Sequence, residues 1–286
     1  MAPAEQTGEC KNVIVSGGAR GIGRAISRYL LEAGHRVYIF DIDAEELEHT
    51  TEVHLASYQK DGKVSSAICD LRDVEDIRAK VRQAASFFDG RIDVLINNGG
   101  IASPKWRDDA TMEDPATLDQ WRAYLETNLT APFVMSQACI PYMKVDMDDP
   151  TRHDGGVHNL HDGGKCIVLI GSFRAHQSDP NQEGYASSKA GLLGLMHSMA
   201  ISLGTTCGIR VNLVAPGRIK VAHECKRGDD AGESVETHID AQDVDDHPAN
   251  RAGRPKDIAD AVLYLLTAGF VTGQEITVDG GALRKK

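Results

Sequence analysis

In the stretch YASSKAGLLGL, residues 185–195, Tyr185 and Lys189 stand four residues apart on a segment that is otherwise small and apolar. Residues at i and i+4 share one helix face, and an unpaired ammonium on a buried stripe loses its hydration. Something nearby should want that charge. A phenol with a pKa near 10 is a poor base at neutral pH, and a neighbouring ammonium favours the phenolate and brings it towards the working range. Ser172, at the end of the apolar run KCIVLIGS (165–172), precedes Tyr185 by 13 residues. Taken singly, each has a structural role available: Ser172 as a strand-end cap, Tyr185 as an amphipathic helix residue, Lys189 as a solvated charge. Together, behind a nucleotide-type loop, they point to proton transfer at a hydroxyl or carbonyl.

That loop is SGGARGIG, with Gly17, Gly21 and Gly23 following one apolar run and opening a helical pattern. Glycines there permit a tight turn and let backbone N–H groups approach a pyrophosphate, which a helix N-terminus also favours. Asp41 closes the second apolar run, 18 residues after Gly23. A carboxylate in that place accepts hydrogen bonds from ribose hydroxyls and repels a 2′-phosphate. Arg20, inside the loop, pulls the other way, since a guanidinium pairs with phosphate. NAD is the favoured coenzyme, with NADP as the alternative.

The elements that must position these groups alternate along the chain. Short apolar runs at 12–17, 36–41, 63–70, 93–98, 165–172, 209–217 and 275–280 are separated by helical patterns near 21–33, 43–60, 73–89, 114–143, 185–203 and 255–267. Such alternation implies right-handed βαβ units. The expected architecture is a single doubly wound α/β domain over residues 11–286, with about seven parallel strands and helices on both faces. Residues 1–10 read as a flexible tail. The stretch 146–164 contains HDGG twice and reads as a surface insertion; the spacing of His153, His158 and His161 fits no standard metal site. The acidic stretch 222–250 follows a strand end and reads as a lid over a site, with Val235 and Ile239 facing inward from a short helix.

The chain has 286 residues and a formal net charge of −11, from 31 Lys+Arg against 42 Asp+Glu. That field repels phosphate backbones and anionic membranes, so no nucleic-acid or membrane partner is expected. The six cysteines are scattered without metal-ligand spacing, consistent with a reducing compartment. With neither a basic, apolar leader nor an apolar run of membrane-spanning length, a cytoplasmic protein is expected.

The spacing of Gly17, Gly21 and Gly23 resembles the T-G-x-x-x-G-x-G loop of the short-chain dehydrogenase/reductase family, with Ser16 in place of threonine. NNGG (97–100) is similar to that family's N-N-A-G, with Gly99 replacing alanine, and Pro216-Gly217-Arg218-Ile219 matches its segment after the sixth strand. The resemblance implies a Rossmann fold and a coenzyme pocket built from Ser16, Gly17, Arg20, Gly21, Ile22, Gly23, Asp41 and Ile42. It adds Asp70 and Leu71 beside the adenine, Asn98, Gly99 and Gly100 at the fourth strand, and Pro216, Gly217 and Ile219 near the nicotinamide. Val221 stands where the family often has a threonine holding the carboxamide. The resemblance makes Tyr185 the acid/base and Ser172 the residue holding the substrate oxygen. Lys189 lowers the tyrosine pKa and binds the nicotinamide ribose, and Asn128 relays protons. It also implies a homotetramer or homodimer built through the long helices.

The reaction so implied interconverts a secondary alcohol and a ketone, with a carbonyl or 3-oxoacyl reductase using NADPH as the alternative, and a non-catalytic dinucleotide sensor as a remote one. Trp106, Arg174 and His176 are candidate substrate contacts, Arg174 being equally readable as half of an ion pair. The acidic lid favours a neutral polar substrate such as a polyol, sugar or cyclic hydroxyketone.

Overall fold

The computed structural model describes residues 9–145 and 163–285. The tail 1–10, apart from Glu9 and Cys10, lies outside the described residues. So does the 146–164 insertion with its three histidines, apart from Gly163 and Gly164. All seven apolar runs form strands: β1 (Asn12–Ser16), β2 (Arg36–Asp41), β3 (Val64–Ile68), β4 (Val94–Asn97), β5 (Lys165–Ile170), β6 (Ile209–Pro216) and β7 (Glu275–Val278). Valine and isoleucine dominate β1, β4, β5 and β6, as suits strands buried on both faces. They make one parallel sheet in the order β3-β2-β1-β4-β5-β6-β7.

The helices are α1 (Gly21–Glu32), α2 (Ala44–His49), α3 (Ala56–Lys60), α4 (Val74–Phe87), α5 (Thr117–Leu125), α6 (Ala131–Met143), α7 (Glu183–Cys207), α8 (Lys226–Asp230), α9 (Ala241–Asp245), α10 (Pro255–Thr267) and α11 (Ala282–Lys285). Alternation along each strand sorts two cores. Val13 and Val15 cluster with Ile26, Leu47 and Ile258 of α1, α2 and α10, while Ile14 clusters with Ile77, Met135 and Leu192 of α4, α6 and α7. Winding reverses between β1 and β4, where the register sets Ser16 opposite both Phe40 and Asn97. The crevice outside the carboxyl ends of strands at such a switch point is where doubly wound folds bind ligands.

Three expectations need correction. The helical patterns at 43–60 and 114–143 are each interrupted by a π-helical turn, Thr50–His54 and Glu126–Thr130. In the second, Pro132 has no N–H to give the Asn128 carbonyl four residues back, so regular α-helix fails there. In the lid, Val235 and Ile239 do not share a helix: a 3₁₀ turn covers Val235–His238, and Ile239 is extended. Asp240 must itself be extended to cap α9 by accepting from the Asp243 amide, which stops any helix running through this point. Finally, α7 is by length and composition apolar enough to cross a membrane, contrary to the expectation that no segment would be. It packs Leu192 and Met196 into the core and leaves Ile201 74% exposed.

Candidate active site

A cleft of about 1190 Å³ opens along the carboxyl edge of the sheet. Asp41 and Ile42 line one end, Gly17, Arg20, Gly21 and Ile22 the middle, and Ser172, Tyr185 and Lys189 the other. The glycine loop is set by contact, not by flexibility alone. Gly17 has φ +63° and its Cα-hydrogen position faces Gly99, so a Cβ would sit 2.5 Å from the Gly99 Cα; a Cβ on Gly23 would sit 2.1 Å from the Gly17 carbonyl oxygen. The loop therefore nests against NNGG, where the Asn98 side chain donates to the carbonyls of Ser16 and Gly17 at 3.2 and 2.7 Å. Ser16 is buried, its hydroxyl accepting from the amides of Asn98 and Gly99, so it and Gly23 shape the loop from beneath and do not line the cleft.

At the β2 end, the Asp41 carboxylate accepts from the amides of Ala19 and Asp43 at 3.0 and 3.1 Å, which fixes its orientation. Arg20 lies 3.5 Å from Asp43, so its charge is already answered by a carboxylate. Ile42, 58% exposed, and Leu71 give this end apolar walls, and Asp70 beside them is held by Arg72.

At the other end, Lys189 is buried and donates to the Ile170 carbonyl at 2.9 Å; burial lowers its pKa to about 8. Its Nζ lies 5.8 Å from the centre of the Tyr185 ring. Tyr124 meets that ring edge-on at 6.2 Å, and the Arg174 amide donates to the Ser172 hydroxyl at 3.2 Å. The Tyr185 pKa is raised above its ordinary value: burial outweighs the Ser172 hydrogen bond and the Arg174 charge, which both lower it, while Tyr124 adds to the rise. With a pKa near 8, Lys189 still carries its proton at neutral pH, so the charge expected to favour the phenolate stands beside a burial that opposes it.

Asn128 sits below the cleft inside the π turn, 1% exposed. Its Oδ1 accepts from the Ile101 amide at 2.7 Å, and its Nδ2 donates to the Ser188 hydroxyl at 3.1 Å and to the Ile101 carbonyl at 3.3 Å. A Cβ on Gly100 would lie 2.8 Å from Asn128 Oδ1 and 3.8 Å from Lys189 Nζ, so the two side chains approach one another behind Gly100.

The three substrate candidates turn away from the cleft. Trp106 is buried against Tyr124 and Gly184 with its indole N–H donating to Glu183 at 2.9 Å, so it braces the start of α7. Arg174 is buried, ion-paired to Asp179 and laid over the Phe173 ring. His176 meets Glu275 at 2.7 Å, beside β7. Sequence reasoning missed Ala222, Glu224, Cys225 and Arg227, which line the cleft from the segment after β6. Its acidic composition and its place after a strand end marked that segment as a lid without singling out these residues.

Fold and site together define an oxidoreductase built on a dinucleotide-type sheet. The model of a family described as enoyl-(acyl carrier protein) reductase matches residues 17–282. The chain is 34% identical over 278 residues to an uncharacterised oxidoreductase of Thermotoga maritima, covering 96% of each. It is 33% identical over 281 residues to a 7alpha-hydroxysteroid dehydrogenase of Escherichia coli K12, covering 97% of this chain and 95% of the relative. Among solved structures, a 7alpha-hydroxysteroid dehydrogenase complexed with NADH and 7-oxo glycochenodeoxycholic acid superposes with a TM-score of 0.73 at 30% identity, covering 95% of this chain and 93% of the other. The chain belongs to the short-chain dehydrogenase/reductase family.

Proposed function

We propose that the protein interconverts a secondary alcohol and a ketone using a nicotinamide dinucleotide, NAD(H) in preference to NADP(H). The observation that carries this reading is one continuous cleft holding Asp41 and the glycine loop at one end and Ser172, Tyr185 and Lys189 at the other. When bound, the nicotinamide supplies or accepts hydride. Gly21 already gives its N–H to the Glu224 carbonyl at 2.7 Å, so a pyrophosphate falls to the next amide of α1 that lines the cleft, that of Ile22. The oriented Asp41 carboxylate accepts from a ribose diol and repels a 2′-phosphate, which supports NAD; Pro216, Gly217 and Ile219 flank the nicotinamide end.

Ser172 has its oxygen fixed by the Arg174 amide and stands within hydrogen-bond reach of the Tyr185 hydroxyl, so the two hydroxyls can share one substrate oxygen. Tyr185 then gives or takes the proton on that oxygen. Lys189, buried with a lowered pKa, regains a partner when ribose hydroxyls and the phenolate surround it, and Asn128 behind it continues the polar path. Because the phenol is protonated at neutral pH, it is poised to donate, which favours ketone reduction there. A cyclic ketone fits the 7-oxo steroid bound by one of the solved relatives. The family-model description favours instead an acyl-carrier substrate, and the acidic segment 222–250 disfavours so anionic a partner.

Exposed Ile201 and Phe133 on α7 and α6 support association through these helices as a homodimer or homotetramer. The deciding experiment is a screen of cyclic and open-chain ketones with NADH and NADPH, read at the nicotinamide absorbance band. Turnover by the native chain and its loss in Tyr185→Phe are expected; full turnover in that variant would overturn the assignment.

A further inference from the structure

Arg24, one residue past the glycine loop on α1, is 1% exposed, yet it does not touch the cleft. Its guanidinium is spent on the segment after β6. Nη1 and Nη2 reach the two Asp229 oxygens at 2.7 Å each, and Nε reaches Glu224 Oε2 at 3.0 Å. Arg28, one turn on, donates to the other Glu224 oxygen at 2.7 Å, and His49 Nε2 lies 2.9 Å from Asp229 Oδ2. The same segment is tied to α2, through the Lys226 amide on Glu46 at 2.8 Å and the Lys226 ammonium on Glu45 at 2.9 Å. Its backbone touches the start of α1 where the Glu224 carbonyl accepts from Gly21.

The consequence is electrostatic. Glu224 lines the cleft beside Gly21 and Ile22, where the diphosphate of a dinucleotide would lie, and it is 4% exposed. A buried carboxylate facing a diphosphate would oppose binding unless its charge were cancelled. We propose that Arg24 is a positioning and charge-cancelling residue for the coenzyme: it holds residues 224–229 as a wall of the cleft and neutralises the carboxylates that this wall brings near the coenzyme phosphates. The segment after β6 is then a fixed wall at its start, and only the residues beyond α8 are left to act as a lid. This inference rests on the dinucleotide reading.

The test measures NADH affinity directly, by the rise in nicotinamide fluorescence on binding, in four proteins: native, Arg24→Met, Glu224→Gln and Arg24→Met/Glu224→Gln. Removing one cation leaves about one net negative charge near the diphosphate, so Arg24→Met is expected to bind NADH about tenfold more weakly at low salt. That deficit should shrink in 1 M NaCl, where the screening length is about 3 Å. In the double variant, affinity should return to within about threefold of native, because the carboxylate's charge has gone with its partner's. Should Arg24→Met fail to fold, Arg28→Met, on a partly exposed partner of the same carboxylate, carries the same salt-sensitive weakening and the same rescue by Glu224→Gln. Native-like affinity in the folded arginine variant overturns the inference, as does a loss that neither salt nor Glu224→Gln relieves. A native chain that binds neither NADH nor NADPH overturns the dinucleotide reading itself.

Discussion

Lys189 gives its ammonium to the Ile170 carbonyl at 2.9 Å while standing 5.8 Å from the centre of the Tyr185 ring. The lysine is thus held by the end of β5 rather than by the phenol. Both groups are disfavoured in their charged forms by the same burial, the lysine brought down to about 8 and the tyrosine raised.

Protonated Tyr185 donates and ionised Tyr185 accepts, so the two reaction directions should respond oppositely to pH. Ketone reduction is expected to hold at neutral pH and fall as the pH rises through the tyrosine's raised pKa, whereas alcohol oxidation climbs over the same range. Tyr185→Phe should lose about 10²- to 10⁴-fold in turnover in both directions with NADH affinity kept. Parallel pH profiles for the two directions would argue against Tyr185 as the group that titrates.

Lys189 should cost the free protein stability. Its folded pKa of about 8 lies below the ordinary 10.5, so between those values the unfolded chain holds a proton that the folded chain has released, and stability rises with pH across that window. Below pH 8 the full cost is present. Lys189→Met should therefore raise stability by about 1–3 kcal/mol at pH 7, an advantage that narrows towards pH 10, while abolishing turnover. Thermal melts of the two proteins at pH 7 and pH 10 measure this; a variant melting lower at pH 7 contradicts it.

Asp41→Ser removes the carboxylate that Ala19 and Asp43 orient at the tip of β2. NADH affinity should fall by about tenfold and NADPH affinity should improve, as a lost bidentate acceptor and a lost repulsion predict. Binding titrations with both coenzymes settle the sign. An unchanged ratio would place the discrimination elsewhere, with Arg20 and Arg227 as the next residues to vary.

Gly23→Ala puts a methyl group 2.1 Å from the Gly17 carbonyl oxygen, a backbone atom that cannot swing aside. The loop must open, and coenzyme binding should weaken by about tenfold or more, since the backbone amides that face the phosphates move with it. Titration with NADH, with a melt to verify folding, checks the outcome.

Local patterns carried the sheet and the loop. Short apolar runs marked all seven strands, and the glycines at 17, 21 and 23 marked a tight turn, although its closest contacts, with Asn98 and Gly99, come from β4's far end. What the sequence did not carry was pairing at a distance. Arg24 meets Glu224 across 200 positions, and Trp106 spends its N–H on Glu183, 77 positions on. An isolated cation or indole reads the same whether it faces a ligand or a buried carboxylate, because the charge that answers it is chosen by how the helices pack. The sign of the tyrosine's pKa shift belongs to the same class. Residue spacing set Tyr185 and Lys189 on one helix face, but desolvation depends on the whole shell around them, and only the assembled tertiary structure decides that shell.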